Sequence, residues 1–560
     1  MDTRRTVMAI AICFLILFGW QYFSENMGWA PKREPAKTEN TATGAAPGTV
    51  QTGTDAPAAS TGGIQQGIES VPAPAQFSAG REIVVDTPLY VAKFNSVGGI
   101  LTSFEFKRYT VASEFNTEIA KAHVQMIDPR AQRFAPMGVL INNQHTWRNA
   151  SWSYELGDSA SDGRLSVADG QQGSVTFIGR LGELTIRRTI TFSSDTYVLS
   201  EKLDLISDTP QTVGLGYSIS TTNLAGPDEY MKVTRVARMQ GGSFGEEDST
   251  SDLSNGLNYG GNVTWGGNMS NYFLAAMIPA DNSFGMQAKL QDDVYTVAFK
   301  KDSVDVLPGS YTRSEMSYYF GPKDMQALEA APGNLITSVD YGWFGWIATP
   351  LLTLLKFFHS YVNNWGVAII LLTVLVKLVL WPLSYKSYKS MQGMKTIQPH
   401  MAKIREKYKD DKQRMNQEMM QLYRTYKVNP MGGCLPILVQ LPVFIGLYKA
   451  LLNAFELRQA AFIPYLPFTD NVWLYDLSLQ DPYYITPIVM GALMFLQQKL
   501  TPTPGDPTQA KIMLFMPIIF VFFFLSFPSG LVVYWLMNSL LSVAQQHWQL
   551  NMKGAKKAKS

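Results

Sequence analysis

Cysteine is almost missing from this chain of 560 residues: only Cys13 and Cys434 occur, both inside apolar stretches. No disulfide framework can staple a folded domain, and no cysteine metal site can be built. Histidine is scarce as well. His123, His145, His359, His400 and His547 are scattered, and only the first two fall in the polar part of the chain. A histidine metal cluster is therefore not expected, and neither is a cofactor. The sequence lacks the GxxxxGK[ST] phosphate loop, which excludes an ATP-driven motor of that type, and it lacks HExxH. Charge is also sparse, at 16% of residues. Without a phosphate loop, a zinc-hydrolase motif or a metal-ligand cluster, enzyme activity is not expected.

What is present is divided unevenly. The mean hydropathy is near zero, −0.03, yet residues 1–23 and 342–550 are strongly apolar while 30–340 resemble a soluble protein. This is the pattern of a membrane protein carrying a large water-exposed domain. The formal charge of +2 hides a second division. Residues 384–428 hold eleven basic side chains against four acids, a net of +7, and residues 551–560 add four lysines. The rest of the chain is net acidic. In a membrane protein such asymmetry reports topology, because basic loops stay in the cytoplasm.

Taken in order, residues 1–24 read as an uncleaved transmembrane anchor. Arg4 and Arg5 precede the apolar run Val7–Phe23, and no small-residue cleavage site follows. Residues 25–79 are rich in Pro, Ala, Thr, Gly and Ser and are expected to be a disordered linker. From 80 to 338 the pattern has a period of two. Ile100, Thr102, Phe104 and Phe106 share one face, as do Leu184, Ile186, Arg188, Ile190 and Phe192, and then Tyr197, Leu199, Leu203 and Leu205. Many half-buried strands separated by Gly- and Asp-rich turns predict an all-β sandwich domain on the far side of the membrane. Residues 339–360 are apolar, with Gly342, Gly345, Pro350 and tryptophans, and suit an interfacial helix in the outer surface. Counting them as a span would put the +7 segment outside, against the charge rule.

Residues 361–550 form the apolar core, with spans expected at about 365–383, 434–452, 485–500, 512–527 and 531–546. Together with the anchor these are six transmembrane helices, which return both termini and the basic segment to the cytoplasm. Trp365–Leu383 is the pivotal span. Its nineteen residues cover roughly 29 Å, close to the ~30 Å hydrocarbon core. It carries one charge, Lys377, which costs on the order of 2.5–3.5 kcal/mol to insert. Two readings stand: the ammonium snorkels to the headgroups at the Pro382 end, or a polar pocket receives it. Gln440, between Pro436 and Pro442 in the next span, and Thr373 offer the second.

The basic segment 384–428 is itself patterned. Met391, Met394, Ile397, Met401, Ile404 and Tyr408 recur at helical spacing, and Met415, Met419, Leu422 and Tyr426 do so again beyond Lys409-Asp410-Asp411. This predicts two amphipathic helices folded into an antiparallel hairpin, the first kinked at Pro399. Its charge suits an acidic or RNA-bearing partner, or anionic headgroups.

The blocks NWGVAIILLTVLVKLVLWPL, DDKQRMNQEMMQLY, KVNPMGGCLPILVQLPVFIGLY, ELRQAAF, QDPYYITPIVMG and FPSGLVVYW stand in order across 339–546. In them the chain resembles the YidC/Oxa/Alb family of membrane protein insertases, in the Gram-negative form with a large periplasmic domain. The resemblance implies a periplasmic β-supersandwich and a five-helix insertase core enclosing a hydrophilic groove, open to the cytoplasm and to lipid. It implies Lys377 as the basic residue of that groove, with Thr373, Gln440 and Tyr534 as neighbours. Leu441, Phe444, Met516 and Phe520 would flank an inserting helix. The hairpin, with Met391, Lys403, Arg405, Lys407, Lys412 and Arg414, would receive substrate, and the tail 551–560 would contact ribosomes. The implied partners are nascent inner-membrane proteins, the Sec translocon, the ribosome and signal recognition particle pathway, and membrane lipids. Two positions depart from the family pattern: Lys377 stands where arginine is usual, and Trp535 where a second tyrosine is usual. The rival classes are a secondary transporter or channel, and a membrane-tethered carbohydrate-binding protein.

Overall fold

The structure, a computed structural model, describes residues 80–560 except 112–121, 158–159, 162, 226–232, 427, 429–434, 501–506 and 558–560. The expected anchor 1–24, the linker 25–79 and Cys434 lie outside the described residues. Within them the period-two stretches become strands in three sheets. A nine-stranded sheet has its centre at Phe273–Pro279, Tyr311–Pro322, Val198–Ser207 and Leu184–Ser193. One six-stranded sheet is built around Val294–Val306 and Gln211–Thr221, and the other around Ile100–Thr110, Tyr90–Asn95 and Glu82–Asp86. Neighbouring strands are antiparallel apart from the short pairing of Glu82–Asp86 with Arg164–Ser166. The expected inward faces are buried: Leu184, Ile186, Arg188, Ile190 and Phe192, and on the next strand Leu199, Leu203 and Leu205.

Arg188 lies on that inward face with no solvent exposure, and so does Glu201 across the strand pair. A buried charge is tolerated only when paired and hydrogen-bonded. Arg188 donates twice to the Glu201 carboxylate, Nε to Oε1 at 2.7 Å and Nη2 to Oε2 at 3.0 Å. It also donates to the carbonyls of Gly98 and Met137, and the Tyr318 hydroxyl donates to Glu201 at 2.9 Å. The position that looked like one more hydrophobic residue in the alternation is thus half of an internal ion pair that joins neighbouring strands of the nine-stranded sheet and holds the backbone at Gly98 and Met137 against it.

Among the described residues seven longer helices follow the β domain: α1 (Gly345–Val362), α2 (Trp365–Lys407), α3 (Lys412–Thr425), α4 (Leu435–Asn453), α5 (Ile485–Leu500), α6 (Pro507–Phe524) and α7 (Ser529–Lys557). Helix α1 ends where Asn363 takes a left-handed conformation, and the next residue, Asn364, caps α2 by accepting the Val367 N–H at 3.0 Å. Gly366 permits close packing there, since a Cβ would collide with the Phe462 ring. Two expectations needed adjustment. The first arm of the basic hairpin is not a separate helix; α2 runs without a break from the apolar stretch through Pro382 and Pro399. Helix α7 continues well past the expected 546, through a stretch without proline, to Lys557. Among the described residues one helix, over 365–394, is long and apolar enough on its own to cross a membrane, and 439–453, 485–500 and 513–524 are shorter apolar helices.

The β domain meets the helices through the loop 454–460. Phe455 enters an aromatic cluster with Tyr109, Phe273 and Tyr272 at centroid distances of 5.1, 5.9 and 6.3 Å. Arg458 donates to the Thr110 carbonyl at 2.7 Å and Gln459 Nε2 to the same oxygen at 2.8 Å. On the other side Glu456 pairs with Lys356 of α1. Beneath them Asp476 is buried and accepts the Ser478 N–H and hydroxyl at 2.8 and 2.6 Å; burial pushes its carboxyl up to about 6.

Candidate intramembrane groove

Helices α2, α4 and α7 bring the polar outliers together. Lys377 Nζ of α2 donates to Ser542 Oγ of α7 at 2.8 Å. One turn back on α7, Asn538 accepts Gln440 Nε2 of α4 at 2.7 Å through Oδ1, and its carbonyl accepts the Ser542 hydroxyl at 2.7 Å. Lys377, Ser542, Asn538 and Gln440 therefore form one hydrogen-bonded chain across three helices, within their apolar stretches. Lys377 and Gln440 are half-buried, whereas Ser542 and Asn538 are 3% and 9% exposed. Ammonium and carboxamide thus border the accessible side, and their α7 partners lie behind them. Among the described residues Lys377 has no carboxylate in ion-pair range, so its charge is held by a hydroxyl and left uncompensated.

The other expected neighbours are placed differently. Thr373 is fully buried and its hydroxyl donates to the Ile369 carbonyl of its own helix at 2.7 Å. It lines nothing directly, because a threonine in an apolar helix satisfies itself on the preceding turn. Tyr534 is fully buried beside Gln440. Phe444 and Phe520 both pack on Trp535, edge-on at 4.5 Å and stacked at 6.2 Å, with Phe524 completing the cluster at 5.5 Å. Trp535 thereby joins α4, α6 and α7, a role for its ring that a tyrosine would fill with less area. Leu441 and Met516 are half-buried on the same two helices.

The hairpin has a small core of its own. Met394, Ile397 and Met401 of α2 pack against Met419 of α3, with Ile404, Met415 and Leu422 beside them, which is the set the helical spacing picks out. Asp411 caps α3 through the Arg414 N–H at 3.0 Å. Lys403, Lys407 and Arg414 are exposed and Arg405 is half-buried. Lys407 and Arg414 flank the Tyr408 ring at 5.3 and 5.6 Å, and Met391 and Lys412 lie on α2 and at the start of α3.

Ser542 and Asn538 complete the polar chain of the groove without having been among the expected groove residues, although Asn538 stands out in the sequence as a polar residue of the apolar half. Their signal was present as two polar residues four apart, one helical turn, in an apolar span. A GxSxG string also occurs at 241–245, but it is the turn of a β-hairpin between Arg235–Gln240 and Ser243–Glu247, with Gly241 and Gly242 in the left-handed region. A nucleophile elbow needs a strand-to-helix turn, so this string carries no such chemistry. Among the described residues no group of His, Cys, Asp and Glu could hold a metal.

Comparison with known proteins accounts for both halves. Residues 357–557 match the 60Kd inner membrane protein family, and residues 82–354 match the YidC periplasmic domain. A membrane protein insertase YidC of Nitratidesulfovibrio vulgaris is 51% identical over 554 residues, covering 98% of this chain and 99% of the relative. That of Oleidesulfovibrio alaskensis is 48% identical over 558 residues, with the same coverage. A crystal structure described as an active YidC insertase with its first transmembrane domain resolved aligns over 85% of this chain and 95% of its own, at 19% identity and a TM-score of 0.36. Half of the residues agreeing over nearly the full length of both chains leaves one assignment: this chain belongs to the YidC family of membrane protein insertases.

Proposed function

We propose that the chain inserts membrane proteins into the inner membrane and helps them fold, through a hydrated, positively charged groove lined by Lys377, Gln440, Asn538 and Ser542. The observation that carries this reading is the hydrogen-bonded chain from Lys377 to Gln440 inside apolar helices. It is not an enzyme in the covalent sense. A polar tail crossing bare hydrocarbon loses its hydration, and a groove with fixed hydrogen-bonding groups and an uncompensated cation replaces part of it. Burial of the substrate's own apolar helix then drives insertion. Phe444 and Phe520, with Leu441 and Met516, form the apolar flank against which that helix slides.

In this reading the β domain, about 80–338, is periplasmic and α1 lies in the outer interface. Residues 1–24 anchor the chain, and six spans leave both termini in the cytoplasm. The basic hairpin 384–428 and the tail 551–560 then face the cytoplasm, where they meet nascent chains, the ribosome and signal recognition particle pathway and anionic lipids. The protein acts alone or with the Sec translocon. Support comes from the agreement of charge with topology: the +7 segment falls inside under six spans and outside under seven.

The test is site-specific crosslinking from positions 377 and 440 to a ribosome-bound nascent single-span protein, together with depletion of the protein from membrane vesicles. Crosslinks at both positions and a stall of short-tailed substrates are expected. Normal insertion in depleted vesicles would refute the proposal.

A further inference from the structure

The polar stripe of α7 does not stop at Ser542. Asn538, Ser542, Gln545 and Gln549 follow one another at steps of four, three and four residues on one side of the helix, with Gln546 next to them, and all five are at least nine-tenths buried. The first two are accounted for by Gln440 and Lys377. Gln545 and Gln549 are not. Their Nε2 atoms are buried and have no hydrogen-bond partner among the described residues. Helix α2 lies alongside, with Trp381 and Trp548 in ring contact at 5.7 Å and Ser384 and Ser387 buried in the same stretch. A buried carboxamide donor without an acceptor destabilises the fold, whereas leucine would fill a similar volume without that cost. Two such donors on one face point to an acceptor that arrives from elsewhere.

We infer that Gln545 and Gln549 form a subsite that donates hydrogen bonds to backbone carbonyls of the substrate's polar tail, continuing the groove from Lys377 along the last helix. The inference rests on the insertase reading above. Spacing supports it: residues four apart on a helix lie about 6 Å apart along its axis, and an extended chain repeats its carbonyls on one side about every 6.6 Å. Chemistry supports it as well. The donors are neutral, so they suit neutral carbonyls of any sequence, while acidic side chains are left to Lys377.

The experiment uses the full-length protein in proteoliposomes and a ribosome-bound nascent single-span protein with a short polar tail bearing one cysteine. Cysteines placed at 545 and 549, and separately at 377 and 440, are tested for disulfide capture of the tail. Capture at all four is expected. The double variant Gln545→Leu, Gln549→Leu should insert the substrate about tenfold more slowly, by loss of two hydrogen bonds. The loss should be the same for tails with aspartate and with asparagine, and thermal stability should be unchanged or raised. Capture at 377 and 440 without capture at 545 and 549 overturns the subsite alone, as does wild-type insertion by the leucine variant. A leucine variant that melts lower and still captures the tail at 377 and 440 assigns the glutamines a purely structural role and also overturns it. Absence of capture at all four positions overturns the groove reading and the subsite with it.

Discussion

Lys377→Met isolates the charge of the groove. Methionine keeps the length and apolar stem of lysine, so packing along α2 is preserved while the ammonium and its bond to Ser542 are removed. An ammonium and a carboxylate about 6 Å apart interact by about 0.7 kcal/mol in bulk water and about 2.8 kcal/mol at an effective dielectric constant near 20. Lys377 is half-buried, and among the described residues no carboxylate pairs with it, so its worth lies between these limits. A middle value of about 1.4 kcal/mol is a tenfold change in rate for each acidic residue passing it. The assay is protease protection of a nascent single-span protein in proteoliposomes, with tails carrying two aspartates or two asparagines. The methionine variant should slow the aspartate tail strongly and the asparagine tail little. Lys377→Arg should restore both, because the guanidinium keeps the charge and can still donate to Ser542. Equal slowing of the two tails, or no slowing of either, would refute the charge argument and leave Lys377 a structural donor.

Glu201→Gln should destabilise the β domain by about 3–5 kcal/mol, because it leaves Arg188 buried and uncompensated. Chemical denaturation followed by tryptophan fluorescence reads it, and the double variant Arg188→Met, Glu201→Leu should recover most of the loss. Asp476 gives a pH dependence of definite sign. Its folded value of about 6 lies above the ordinary 3.8, so the native state holds the extra proton and stability falls as pH rises from about 4 to about 6. Asp476→Asn should therefore raise the melting temperature above pH 6, by about 2–3 kcal/mol in stability, and the gain should vanish near pH 4. Ile397→Asp should unfold the hairpin, since Ile397 is fully buried in its four-residue core. An unpaired carboxylate there costs about 2–5 kcal/mol, seen as rapid proteolysis within 384–428 while the β domain stays intact.

Much of this protein was legible from its sequence because the signals are periodic or compositional. Alternation placed the strands and their inward faces, helical spacing selected Met394, Ile397, Met401 and Met419, and the absence of catalytic motifs turned attention to polar residues in apolar helices. Boundaries were less legible where nothing local ends a helix. Pro382 marked the expected end of the span, yet α2 runs on through it and through Pro399 without interruption.

The sequence by itself determined the classes: a β-rich soluble domain, an apolar helical core, a basic hairpin, and Lys377 as the one charge of its span, with Gln440 as a candidate neighbour. These depend on local pattern, which is written along the chain. Only the tertiary structure decided partnership. It assigned Lys377 to Ser542 and Gln440 to Asn538, turned Thr373 back on its own helix, and made Arg188 the partner of Glu201. It also left two glutamine amides of α7 buried without acceptors among the described residues. Such outcomes depend on which faces of distant segments meet. Residues 377 and 542 are separated by 165 positions, and no local periodicity encodes the rotation that brings them together.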